Sequence, residues 1–197
     1  MTYDLIVALA AFAFVTSITP GPNNLMLMAS GANFGFRRTI PHMLGVGLGF
    51  TVMIVLVGVG LAQIFEAYPE ARTALKIISV MYLLYLAWKI ANAAAPTSAE
   101  EAGTPITFIQ AALFQWVNPK AWSMALTSIG AYAPSKDING ILWVALIFGL
   151  INLPCVSVWT LFGQQMRRFL TSPKRLRLYN YTMAVLLVAT LVPVLIT

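Results

Sequence analysis

Long apolar runs alternate with short polar connections along the chain, and six runs reach the length of a membrane crossing: Leu5 to Met28, Thr39 to Ala62, Thr73 to Ala93, Ile106 to Ala131, Asn139 to Gly163 and Leu178 to Ile196. A helix needs about 20 residues to cross the hydrocarbon core. A membrane strand would instead alternate apolar and polar positions over about ten residues, and these runs do not. The predicted architecture is an all-α integral membrane protein with six transmembrane helices.

Two of the runs are interrupted. The first carries Thr19-Pro20-Gly21-Pro22-Asn23-Asn24 and the fourth carries Gln115-Trp116-Val117-Asn118-Pro119-Lys120. Proline lacks the amide hydrogen of a helix interior and its ring clashes with the carbonyl four residues back, so neither run continues as one helix. Thr19 before Pro20, and Asn118 before Pro119, pair an N-cap side chain with the residue favoured at the first helical position. Helices 1 and 4 are expected to break near mid-membrane and restart at these motifs. Each opens a set of three crossings, and an odd number of crossings reverses the second set. The prediction is one membrane domain over 1–197 built as an inverted repeat. Repeat one covers about 1–93, a polar small-residue linker about 94–105, and repeat two about 106–197.

Paired interruptions in corresponding helices point to a transporter's binding site. A restarted helix begins with unpaired N–H groups and a positive dipole end, and inversion aims both such ends at a common centre, where a carboxylate is stabilised. Lys120 is the full charge deepest within a predicted span, at a cost of at least about 2.5 kcal/mol at a helix centre. The acids Asp4, Glu66, Glu70, Glu100, Glu101 and Asp137 all fall at ends or in loops. Two partners for Lys120 remain open: a bound anion, or backbone carbonyls freed by Pro119.

Thr16 shares a face with Asn23 if helical geometry persists near the break, as Asn118 does with Trp122. Trp116 and Trp122 lie deeper than an interfacial aromatic belt, which fits either a cavity wall or core packing. Asn152 and Pro154 make a polar kink in the fifth span, which is either structural or an acceptor for an ammonium group. The candidate substrate-binding set is Thr19, Pro20, Gly21, Pro22, Asn23, Asn24, Asn118, Pro119, Lys120 and Asn152.

Composition removes the soluble alternatives: 59% of residues are hydrophobic and 9% charged, with a mean hydropathy of +0.81, against roughly 25% charged in a soluble domain. The net charge of +6 does not point to nucleic acid, because the cations sit in membrane connections. Arg37, Arg38, Lys89, Arg167, Arg168, Lys174, Arg175 and Arg177 fall at odd-numbered connections, and Arg72, Lys76 and Lys136 at even-numbered ones. That asymmetry places the odd connections in the cytoplasm and both termini outside. The cluster in the fifth connection also suits anionic membrane lipid. Met1-Thr2-Tyr3-Asp4 offers no positive n-region, so the first run reads as a retained helix.

Cys155, the one cysteine, has no partner for an internal disulfide or a CxxC centre. His42, just inside the second span near the interface, fits a structural role or a proton carrier. Gly45 and Gly49 have the GxxxG spacing of close helix packing, and glycine-rich faces permit a homo-oligomer. With neither HExxH nor GxSxG and no interior carboxylate, the chain calls for no enzyme active site, metal or cofactor.

The run Thr19-Pro20-Gly21-Pro22-Asn23, followed by Gly35-Phe36-Arg37 and later by Asn118-Pro119-Lys120, resembles the lysine exporter (LysE/RhtB) family of amino-acid exporters, most closely its homoserine and threonine resistance branch. The chain is also similar to exporters of cysteine and O-acetylserine. The resemblance extends over essentially the whole length. It implies secondary export of amino acids or their derivatives from the cytoplasm across a bacterial inner membrane, with protons as coupling ion. The expected mechanism holds the substrate carboxylate at Lys120 and the opposed helix N-termini, with Asn23, Asn24 and Asn118 hydrogen-bonding, while the two halves rock. A passive small-solute channel is the rival reading.

Overall fold

Proline and glycine set most of the helix boundaries. The computed structural model describes residues 1–63, 67–93, 104–133 and 137–192. Glu66, Glu100, Glu101, Lys136, most of the proposed linker and the end of the sixth predicted run at Ile196 lie outside them. Helix α1 (Tyr3–Ile18) ends where Thr19 turns extended at φ −67°, ψ 145°. Helix α2 (Pro22–Gly58) begins after an extended Gly21, with Pro22 in its first turn. Thr19 therefore caps the end of α1 and does not start the next helix, contrary to the sequence expectation. Two prolines offered two restart points, and the chain uses the second.

Helix α2 is two helices joined at Gly35, whose φ of 78° and ψ of 171° leave helical space. Glycine takes a positive φ without the Cβ clash of other residues. The chain reverses there: Ser30 Oγ lies 3.0 Å from Thr39 Oγ1, whereas nine residues of straight helix would separate them by about 13.5 Å. The reversal stands where the first connection was predicted, so that connection is helical on both sides of a one-residue turn.

Helix α6 (Ile138–Met166) shows the directions. Phe12 packs on Phe148 with centroids 6.1 Å apart, Ser17 meets Asn152, and the Met28 backbone meets Gly163, so α1 and residues 22–34 run parallel to α6 as one interrupted crossing. Thr51 meets Gly149 and Gly58 meets Ile141, so residues 36–58 run antiparallel to it.

Helix α3 (Pro69–Ala91) leads to a second interrupted crossing, α4 (Phe108–Val117) and α5 (Pro119–Tyr132). Thr107 and Gln110 form a reciprocal capping box at its start, at 3.2 and 3.1 Å. Gly45 packs on Phe108 and Ala111, Gly49 on Ala112, and Gly58 beside Ile129. The α4–α5 pair thus follows residues 36–58 in one direction despite its break. Helix α7 (Pro173–Ala189) completes the order, its Ser172 side chain accepting from the Arg175 amide. The leg of α2 after Gly35, residues 73–91 of α3 and helix α6 are each long and apolar enough to cross a membrane alone.

The GxxxG glycines do pack closely, against α4. A tighter approach joins residues 22–34 to α6: a Cβ on Gly31 would strike the Thr160 carbonyl and one on Gly163 the Met28 carbonyl. His42 is fully buried, and neither ring nitrogen has a hydrogen-bond partner among the described residues. Asp4 and Glu70 lie in first helical turns, and Asp137 caps α6 by accepting from Gly140 N at 2.8 Å. Large apolar side chains such as Leu48, Leu146, Leu150 and Val185 are exposed on the outside of the bundle, a surface suited to a hydrocarbon surrounding.

Candidate functional site

The end of α1 would leave carbonyls without helical partners, and side chains from three other segments supply donors. Thr19 Oγ1 donates to Thr16 O at 3.1 Å. Asn24 Nδ2 donates to Ser17 O at 2.8 Å and Thr19 O at 2.7 Å. Trp159 Nε1 donates to Ile18 O at 3.0 Å. Lys120 then reaches across from the other break: its Nζ lies 3.0 Å from Thr19 O, 2.9 Å from Thr19 Oγ1 and 3.4 Å from Pro20 O. The carbonyls that hold the lysine come from the first break, not from the one Pro119 makes. A cation is favoured there, at the negative end of the α1 dipole.

The two restarts are not equivalent. At α5, Asn118 Oδ1 accepts from Lys120 N at 3.1 Å and Pro119 takes the first position, as the motif predicted. At α2, Gly21 gives no side-chain cap, and the first turn, Pro22 to Asn24, lines a cavity with Gly21. Gly21 also leaves room for the lysine, since a Cβ there would sit 2.9 Å from Lys120 Cδ and 3.1 Å from Nζ. Both helix starts border the one cavity, α2 through Gly21 to Asn24 and α5 through Asn118, Lys120 and Ala121, with a side-chain cap at the α5 start and none at the α2 start.

An amide pair joins the breaks: Asn23 Nδ2 donates to Gln115 Oε1 at 2.8 Å, and Gln115 Nε2 donates back to Asn23 Oδ1 at 3.1 Å. Gln115 also donates to Ala111 O at 2.8 Å. Opposite, Asn152 Nδ2 donates to Ser17 Oγ at 3.0 Å. Its Oδ1 is buried with no partner. Leaving such an acceptor unpaired costs about 1–3 kcal/mol. Among the described residues it is the one side-chain oxygen in that condition.

Thr16, Asn23, Asn118, Lys120 and Asn152 line the same cavity, walled by Val46, Phe50 and Met124. Its volume is about 30 Å³, room for about two waters where one needs about 10–15 Å³. The site is therefore contracted, and a larger occupant requires the helices around it to separate. Thr19 and Pro20 are exposed at its edge.

Trp116 and Trp122 do not line this cavity. Trp122 Nε1 donates to Trp116 O at 2.7 Å and the rings meet edge to face at 6.2 Å, bracing the second break. Gln115, Ser17 and Trp159 belong to the site and were absent from the predicted set. Gln115 stood inside the quoted motif, and its amide beside a proline break in an apolar run was the available signal. Trp159 acts on a carbonyl exposed only once α1 ends, and Ser17 on the amide of Asn152 from a helix far along the chain, neither of which a local pattern marks.

Residues 14–196 match the LysE type translocator family. The chain is 29% identical over 171 residues to a cysteine/O-acetylserine efflux protein of Salmonella choleraesuis (strain SC-B67), covering 85% of this chain and 87% of the relative. It is 28% identical over 191 residues to a cysteine/O-acetylserine efflux protein of Escherichia coli O1:K1 / APEC, covering 95% and 96%. No solved structure matches.

Proposed function

From its place in the LysE type translocator family, to which this chain belongs, we propose that it exports a small amino acid or amino-acid derivative of the cysteine or O-acetylserine kind from the bacterial cytoplasm. The observation that carries the reading is that Lys120 and Asn152, whose buried Oδ1 has no partner among the described residues, line one cavity. A zwitterion satisfies both. Its carboxylate takes the open N-terminus of α2 and the lysine ammonium, and its ammonium donates to Asn152 Oδ1. Asn23 and Gln115, now bonded to each other, exchange that pair for the substrate as the cavity widens.

The two halves act as an inverted repeat that rocks about this site, with both termini outside and a proton as coupling ion. The contracted cavity supports alternating access over a standing channel. The test is competition for uptake by inside-out proteoliposomes. O-acetylserine and cysteine should compete, whereas analogues lacking either the carboxylate or the ammonium should not. In Asn152→Leu the advantage conferred by the ammonium should disappear. Equal competition by singly charged analogues in the wild-type protein would refute the assignment.

A further inference from the structure

A second cavity, of about 220 Å³, lies between residues 22–34, the end of α3 and the chain leading into α4. Its wall on the first of these is Met26, Ala29, Ser30, Asn33 and Phe34, a spacing that puts all five on one helical face. Asn23 falls on the same stripe three residues before Met26 and borders the central cavity. From Asn23 to Asn33 is about 15 Å of helix. The two cavities are successive stations along one face, with the buried Met26 side chain between them.

The larger cavity holds a cation. Lys89 is half-buried in its wall, and its ammonium reaches Pro105 O at 3.5 Å and Gln110 Oε1 at 3.4 Å. Both contacts lie beyond the usual hydrogen-bond range, while an ammonium has three donors to place. Apolar walls, Met26, Ile90 and Ile106, surround it, and exposed Asn92 and Thr104 open the mouth. Among the described residues no acid pairs with Lys89, and a cation against an apolar wall favours a small anion-bearing, partly apolar guest. The central cavity, at about 30 Å³, cannot hold such a guest as it stands, and this one can.

We propose that the Lys89 cavity is a loading site, where the carboxylate of the substrate binds first before passing Met26 to the Lys120 site. The substrate class rests on the export reading above, and the site itself rests on the cavity, the stripe and the lysine. When O-acetylserine is offered to proteoliposomes from the Lys89 face, Lys89→Gln should raise KM at least tenfold with kcat within twofold of wild type, and Lys89→Arg should restore most of the loss. Offered from the opposite face, the same variants should match wild type. If Lys89→Gln does not accumulate, Asn92→Trp, which narrows the exposed mouth, carries the same expectation. Wild-type KM in the variant that does accumulate would overturn the loading site and leave the export reading standing. Failure of the wild-type protein to move any zwitterionic amino acid would overturn the export reading, and the loading site with it.

Discussion

Lys120 shows how one residue serves structure and chemistry together. Its ammonium neutralises the carbonyl end of α1, yet Asn24 already donates to one of the same carbonyls, Thr19 O, and to Ser17 O beside it. Removing the charge should therefore spare the fold and cost the substrate. A hydrogen bond to a charged group is worth about 1.5–3 kcal/mol, so Lys120→Met should weaken transport at low substrate by about tenfold to a hundredfold. Its elution profile in detergent should stay like wild type. Asn24→Leu should behave in the opposite way. It strips donors from Ser17 O and Thr19 O, should cost about 1–3 kcal/mol of stability, and should lower the melting temperature in detergent. At this scale the motif residues were legible because proline and buried charge are rare in apolar runs. The direction of the lysine was not, since it depends on which of Pro20 and Pro22 starts the helix.

The elements owe their arrangement to backbone contacts that residue patterns mark poorly. The breaks were readable, and so were the capping roles of Asn118 and Pro119. The reversal at Gly35 was not, because an isolated glycine in a mixed segment has no unique reading, and the helical stretches on both sides of it hid the turn. GxxxG drew attention to Gly45 and Gly49, while the tightest approach joins Gly31 and Gly163, on helices far apart in sequence. A side chain at Gly163 must push the Met28 backbone away, and overpacking of this kind costs about 1–3 kcal/mol or more. Gly163→Val should therefore lower the detergent melting temperature by more than Gly130→Val, since a Cβ at Gly130 meets nothing within 4 Å.

For the whole molecule, hydropathy alone indicated a helical membrane protein, and the described helices agree with it. Contact order supplies what hydropathy could not: α1 with residues 22–34 runs parallel to α6, α4–α5 runs with residues 36–58, and the two broken crossings meet at one contracted cavity. Such a cavity opens only by relative movement of the elements that bear it, so export should be a cycle and not a leak. The most direct test is uptake of labelled O-acetylserine by inside-out proteoliposomes under an imposed pH gradient, acidic inside. Accumulation above the external concentration, collapsing when a protonophore is added, is the predicted result. Uptake that stops at equal concentrations with or without the gradient would contradict proton-driven export.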